Sequence, residues 1–275
     1  MAGPPWRRSI VSLLSPDRFI AVLGAQGVGL CQRQGQQQRW LASLDFIAER
    51  SLAWAVALES LQHLLVEHAG KGAQLQVLLS AQYSRFCLVP WSAAISRPDE
   101  LQQYARACFE AHYGQSLEGW RIVVSPEAGG CPRIASATPQ ALLDQLEALC
   151  RNLGLRLRST RPYLMAAYNH FAEQLGQGDF LFVLAEPQRS VCLLAQNGAW
   201  QHVSAQGCSD SDQALQALIA RHSELHQGEG QLPVYLHAPG RLEPVPALAG
   251  VQLCELAPAP LAVRDVLCSM SRAVA

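Results

Sequence analysis

Short apolar runs separated by tight polar turns fill both ends of the chain, and stripes with helical spacing lie between them. Residues 10–14 form an apolar run, Ser15-Pro16-Asp17-Arg18 a turn, and 19–23 a β-rich return strand. Gly24-Ala25-Gln26-Gly27 turns again into a strand over 28–31. The glutamine-rich stretch 32–38 is polar enough to predict a loop. Residues 44–67 show helical spacing, with Leu58, Leu61 and Leu65 on one stripe, and Gly70-Lys71-Gly72 ends it. Strands are predicted over 75–79 and 85–90. In the middle of the chain, Ser96-Arg97-Pro98-Asp99 opens a helix to about Tyr113. Strands over 121–124 and 132–137 follow, then a helix from Thr138-Pro139 to Asn152 stopped by Gly154. A short strand over 155–159 and a helix over 161–175 complete this part. The last third has strands over 180–184, 190–194 and 200–204, the second and third joined by Gln196-Asn197-Gly198. It continues with a helix over 211–226, strands over 234–236 and 251–256, and a helix from Pro260.

The last third restarts the opening pattern. Laying Pro187 on Pro16 also superposes Leu184 on Leu13, Arg189 on Arg18, Leu194 on Leu23 and Gly198 on Gly27. Identities this sparse arise by chance when every offset is tried, so the weight rests on context. Each half runs strand, turn, strand, turn, strand, helix, strand, and that shared order points to an internal duplication.

Composition narrows the function classes. Lys+Arg 21 against Asp+Glu 22 gives a net charge of -1, which leaves no cationic excess for phosphate backbones and excludes a nucleic-acid reader. With 49% hydrophobic and only 16% charged residues in 275, the chain can bury a large core and has much covered surface. Its 9 cysteines include no C-x-x-C pair, against zinc ribbons and thioredoxin-like sites and in favour of a reducing cytoplasm. Pro16-Asp17-Arg18 cuts short the apolar run after Arg7 and Arg8, against a signal peptide, and no apolar stretch is long enough to span a bilayer.

Three stretches resemble the PilM and GspL group, the cytoplasmic actin-like proteins of type IV pilus and type II secretion machines. The first runs from Leu13 through Ser15-Pro16-Asp17-Arg18 to Leu23. The second is Leu75-Gln76-Val77-Leu78-Leu79-Ser80 with Arg85 to Pro90 and the step Leu88-Val89-Pro90-Trp91. The third, 133–168, has a Thr-Pro-opened helix, the step Leu153-Gly154-Leu155 and a helix with Pro162, Met165 and Ala166. The resemblance implies an α/β, actin-like (ASKHA, duplicated RNase H-like) two-lobe fold with an inserted α/β subdomain. The first lobe would take 8–175, with the insertion at about 91–160, and the second lobe 176–275.

It also implies a non-catalytic scaffold, cytoplasmic and peripheral to the inner membrane of a bacterium. Such a scaffold holds the short cytoplasmic tail of a bitopic, PilN-like membrane partner and couples to a hexameric assembly ATPase. A homodimer is compatible with this reading, and no cofactor or metal is expected. The tail groove would draw on Arg85, Phe86, Leu88, Trp91, Leu155, Leu157 and Tyr163. In an active member of the fold, two strand turns wrap the nucleotide phosphates with free N–H groups, and acids hold magnesium. The turns matched to them are Ser15-Pro16-Asp17-Arg18 and Glu186-Pro187-Gln188-Arg189. Each carries a proline, which has no N–H, and neither contains glycine. Asp17 lies beyond the place of the usual aspartate, where Leu13 or Leu14 stands. The late adenosine-type loop is reduced to His237-Ala238-Pro239-Gly240. The rival reading is a divergent nucleotide-binding enzyme of the same fold, such as a small-molecule kinase.

Other chemistry is discounted on context. Gly24-Ala25-Gln26-Gly27-Val28-Gly29 would need a following helix to bind a dinucleotide, and a strand is predicted instead. His222 and His226 have a metal-compatible spacing but no evident third ligand, so a solvated helix end is expected. His63, Glu67 and His68 fall along the polar edge of a helix. Trp54, Trp91, Trp120 and Trp200 read as packing residues.

Overall fold

The computed structural model describes residues 16–35, 37–49, 53–228, 230–241, 243–245, 251–257 and 265–273. The strand expected at 10–14, Ser15, and the first residues of the last expected helix lie outside them. The chain opens with β1 (Arg18–Leu23), β2 (Gly27–Gln34) and β3 (Gln37–Asp45), followed by α1 (Ala53–His68) and β4 (Gln74–Leu79). A 3-10 turn, Ala81–Tyr83, leads to β5 (Arg85–Val89), α2 (Pro98–Tyr113), β6 (Trp120–Val124), β7 (Arg133–Pro139) and α3 (Gln140–Asn152). Then come β8 (Arg156–Pro162) and α4 (Tyr163–Phe171). The last part holds β9 (Phe180–Glu186), β10 (Arg189–Gln196), β11 (Ala199–Gly207), α5 (Asp212–Ser223), β12 (Pro233–His237), β13 (Gln252–Glu255) and α6 (Val266–Ser271).

Two five-stranded sheets share one topology, β3-β2-β1-β4-β8 and β11-β10-β9-β12-β13. In each, the first three strands run antiparallel and the last two extend the sheet in parallel. The duplicated plan is therefore present, but its register differs from the one read in the sequence. The hairpin bond from Gly24 N–H to Gly27 C=O places Gly24 where Glu186 pairs with Arg189. Gly24 is thus the counterpart of Glu186, and the superposition of Pro16 on Pro187 is wrong. It failed because β1 and β9 are buried on both faces, so no apolar/polar alternation fixes their register in the sequence.

The layers explain the unbroken apolar runs of β1 and β9. Phe19, Ala21 and Leu23 face a core with α1 and α3 (Leu58, Leu61, Leu142, Leu146). Ile20 and Val22 face the opposite core, which holds Tyr163, Leu164 and Phe171 of α4 with Leu267 and Met270 of α6. Phe182 and Leu184 of β9 reach that same core from the second sheet, while Leu181 and Val183 pack under α5. A strand buried on both faces has no polar face to alternate with. α4 and α6 are thus the filling between the two sheets.

The third sheet, β5-β7-β6, has its own core with Phe109 and Ala105 of α2. It spans Arg85 to Pro139, which corrects the expected insertion at about 91–160. β8 pairs in parallel with β4 in the first sheet, and Leu142, Leu146 and Cys150 of α3 pack on that sheet's outer face. The local expectation at 32–67 also changes. Residues 32–34 and 37–38 belong to a hairpin turning at Gly35 (φ 61), and Leu44 lies in the strand β3. β3 is an edge strand with half-buried side chains, and its pairing with β2, a tertiary effect, overrides the local spacing.

The glycines of Gly24-Ala25-Gln26-Gly27-Val28-Gly29 have a packing reason. A Cβ on Gly29 would collide with the indole of Trp40 and come within 2.9 Å of Leu267 Cβ. A Cβ on Gly24 would lie 2.5 Å from Leu267 Cδ2. These glycines let α6 sit against the β1–β2 hairpin.

Candidate functional site

Where the sheets meet, the β1–β2 turn (Ala25, Gln26) faces the β9–β10 turn (Gln188, Arg189) across a cleft of about 300 Å³. Ile47, Ala48, Ala53, Gln82 and Gly207 complete its walls. Among the described residues, every side chain lining it is apolar, a carboxamide or an arginine.

The nearby carboxylate is turned inward. Glu186 ends β9 and is 2% exposed. It crosses from the second sheet to the segment after β4, accepting hydrogen bonds from the Ser80 hydroxyl and from Ala81 N–H at 2.8 Å. Ser80 Oγ in turn accepts from Gln82 N–H at 3.1 Å, so it caps the 3-10 turn while donating to the acid. The Tyr83 hydroxyl ties the same turn to the Gly24 carbonyl at 2.9 Å. Burial pushes the Glu186 carboxyl up to about 7, opposed by the bonds from Ser80 and Ala81 and by the Arg189 charge. The same burial, with the Glu186 charge, raises the Tyr83 phenol.

A second buried polar pair joins α4 to β12. His237 Nδ1 lies 2.8 Å from the Leu256 carbonyl, which can only accept, so this nitrogen carries the proton. Nε2 then accepts from the Tyr163 hydroxyl at 2.7 Å. Burial holds His237 down to about 4 and moves the Tyr163 phenol well above its ordinary range.

The sequence-selected residues divide sharply. Ser15 is outside the described residues. Pro16 and Asp17 are exposed ahead of β1, and Arg18 is its first residue, so Ser15-Pro16-Asp17-Arg18 is not the turn that faces the cleft. That turn is Gly24–Gln26, and it does contain glycine. Glu186, Pro187, Gln188 and Arg189 form the opposing turn, as expected. Among the expected groove residues, Phe86, Leu155 and Tyr163 are buried in three-layer packing and cannot touch a partner in this conformation, a correction to their expected role. Leu88 and Leu157 are half-buried against the cores. Arg85 is stacked over the rings of Tyr113 (5.0 Å) and Trp120 (4.5 Å).

Trp91 is different: it is 47% exposed and lines a groove of about 240 Å³ with Ile95, Arg97, Pro98, Leu101 and Arg133. Neither Leu155, Leu157 nor Tyr163 reaches that groove. The three further tryptophans read as packing residues do pack, Trp200 edge-on to Tyr168 at 5.3 Å and Trp54 against the first-sheet core. Trp120 lies partly buried on the inserted core.

His222 is not at a solvated helix end. It is 3% exposed, with Nδ1 2.8 Å from the Leu218 carbonyl and Nε2 2.6 Å from Ser204 Oγ. His226 turns to Asp179 at 3.0 Å. The two rings serve different partners, and among the described residues no cluster of metal-ligand type exists. The contacts that Ser80, Gln82, Tyr83 and His237 make here were not read from the sequence. The available signal was Glu186 itself, the sole charge closing an otherwise apolar strand (FLFVLAE).

No protein-family model matches the chain, and no curated protein does. Solved structures do. The cytoplasmic domain of EpsL, an inner membrane component of the type II secretion system of Vibrio cholerae, aligns with 93% of this chain and 94% of its own, at 15% identity and a TM-score of 0.59. The PilM-PilN type IV pilus biogenesis complex aligns over 87% and 88%, at 14% identity and a TM-score of 0.61. A Bacteroides thetaiotaomicron protein with an actin-like ATPase fold and unknown function aligns over 82% of each chain, at 11% identity and a TM-score of 0.55. The chain has the actin-like α/β fold.

Proposed function

We propose that the chain is a non-catalytic actin-like scaffold on the cytoplasmic side of a type IV pilus or type II secretion assembly platform. In this reading it holds the cytoplasmic tail of a bitopic inner-membrane protein and couples the platform to a hexameric motor ATPase. Nearly full-length likeness to an EpsL cytoplasmic domain and to a chain of the PilM-PilN type IV pilus biogenesis complex supports the setting. The observation that carries the loss of catalysis is the interlobe cleft. Its walls present carboxamides and Arg189, with Pro187 in one turn, and the Glu186 carboxylate is already committed to Ser80 and Ala81. A magnesium nucleotide needs free carboxylates and a run of N–H donors at that place.

The tail would lie in the Trp91 groove, where an exposed indole beside Ile95 and Leu101, rimmed by Arg97 and Arg133, offers an aromatic anchor for an extended peptide. The test is affinity purification of the tagged chain from its native cytoplasm, with wild type and Trp91→Ala side by side. Wild type should recover a bitopic platform protein, and Trp91→Ala should lose it at an unchanged melting temperature. Recovery of soluble metabolic enzymes alone, or magnesium-ATP turnover with strong thermal stabilisation, would sink the scaffold reading.

A further inference from the structure

A second concave site lies at the opposite end of the first sheet from the β1–β2 turn. Arg18, Arg33, Gln74, Gln76 and Arg158 surround a pocket of about 160 Å³, which Phe19 and Ile20 also line. The guanidinium groups come from β2, β1 and β8, with β4 between the last two. Arg18 of β1 is directly opposite Arg33 of β2 and opposite Gln74 of β4. Arg158 lies at the register shift where β8 meets β4. With strands about 4.8 Å apart, the row from β2 to β8 is about 14 Å long.

This arrangement is costly as it stands. Like charges directly opposite on neighbouring strands repel, and none of the three arginines has a carboxylate partner among the described residues. Asp17, next in sequence, accepts from Gln32 at 3.5 Å and makes no ion pair with Arg18. Arg33 Nε donates to the Gly35 carbonyl, which leaves its charge uncompensated. Residues 1–15 contain Arg7 and Arg8 and no acid, so they bring no counter-charge. In a chain of net charge -1, three unpaired arginines around one pocket are a local feature that average composition does not explain.

We propose that this arginine row is a docking site for an extended acidic segment of a protein partner. Arginine forks match carboxylates in bidentate geometry. Gln74 and Gln76 each offer a donor and an acceptor, the complement of a peptide group, whereas a phosphate offers acceptors only. In an extended peptide, alternate side chains on one face recur every 6.5 to 7 Å or about that, so two or three acidic residues would cover the row.

The probe is fluorescein-labelled octaglutamate, with octalysine as control, titrated with the full chain by anisotropy at low and moderate salt. Octaglutamate should bind and octalysine should not. Raising the salt should weaken binding about tenfold. Arg18→Glu/Arg158→Glu should weaken it at least about tenfold, while the equal charge change Arg121→Glu/Arg151→Glu on exposed sites elsewhere should leave it unaltered. Arg18→Gln/Arg158→Gln serves if charge reversal lowers the melting temperature. Binding that is absent, or equal in wild type and the arginine-row variants, overturns the proposal. So does displacement of the peptide by equimolar inorganic phosphate, or retention on phosphatidylglycerol vesicles without any peptide binding.

Discussion

Glu186→Gln isolates the buried acid that bridges the two sheets. Gln keeps the shape, its Oε1 can still accept from Ala81 N–H, and its amide can donate to Ser80 Oγ. In wild type the folded carboxyl titrates at about 7 against an ordinary value of 4.5. Between those values the folded state holds a proton that the unfolded state has lost. Stability from this group is therefore fully present below about 4.5 and is lost as pH rises through 7. The gap corresponds to about 3 kcal/mol. His237 acts in the opposite sense. Its folded value of about 4 against 6.5 makes its contribution present above 6.5 and lost as pH falls towards 4, again by about 3 kcal/mol. The two slopes oppose each other between pH 4.5 and 6.5, so in wild type the contributions of these two groups nearly cancel there. Glu186→Gln removes one slope and uncovers the other. Urea unfolding at half-unit steps from pH 4.5 to 8 measures both proteins. The variant should lose stability steeply below pH 6.5 and match or exceed wild type at pH 8. Parallel profiles for the two proteins would refute the argument, because Glu186 would then titrate alike folded and unfolded.

Two further outcomes follow from packing. Gly29→Ala places a methyl into Trp40 and against Leu267; overpacking of this kind costs about 1–3 kcal/mol, visible as a lower urea midpoint, and a paired Trp40→Phe change should recover part of it. Tyr163→Phe removes the donor to His237 Nε2, leaving a buried acceptor unpaired at a cost of about 1–3 kcal/mol. Thermal unfolding reads that loss, and ring-nitrogen NMR should show the His237 tautomer kept by the Leu256 carbonyl.

The duplicated strand pattern, α2, α3 and the Asn197-Gly198 hairpin turn were legible because each depends on local signals. Asn197 (φ 52) and Gly198 (φ 73) adopt the left-handed pair that such a dipeptide favours. The register of the repeat was not legible, since the Ser15-Pro16-Asp17-Arg18 turn and the Gly24–Gln26 turn both separate apolar runs, and only strand pairing distinguishes them. For the site, the Glu186-Pro187-Gln188-Arg189 turn was found from its sequence. Its partners Ser80 and Ala81 were not, because they come from the other sheet and bear no local mark of that encounter. Phe86 and Tyr163 looked like groove residues for a related reason: an aromatic anchor and an aromatic core residue read alike until burial is known.

The placement of α6 sets the order of events during synthesis. Leu267 fills the hollow left by Gly24 and Gly29, and the Asp265 carboxylate accepts from Ser43 of β3 at 2.8 Å. The first sheet to leave the ribosome therefore lacks part of its inner lining until the segment from Asp265 to Ser271 is made. The half made earlier must wait, with Ile20, Val22 and Cys31 uncovered on this side, through the whole second sheet. Nascent chains stalled before residue 265 should be protease-sensitive in the first sheet, and full protection should come only with the closing helix.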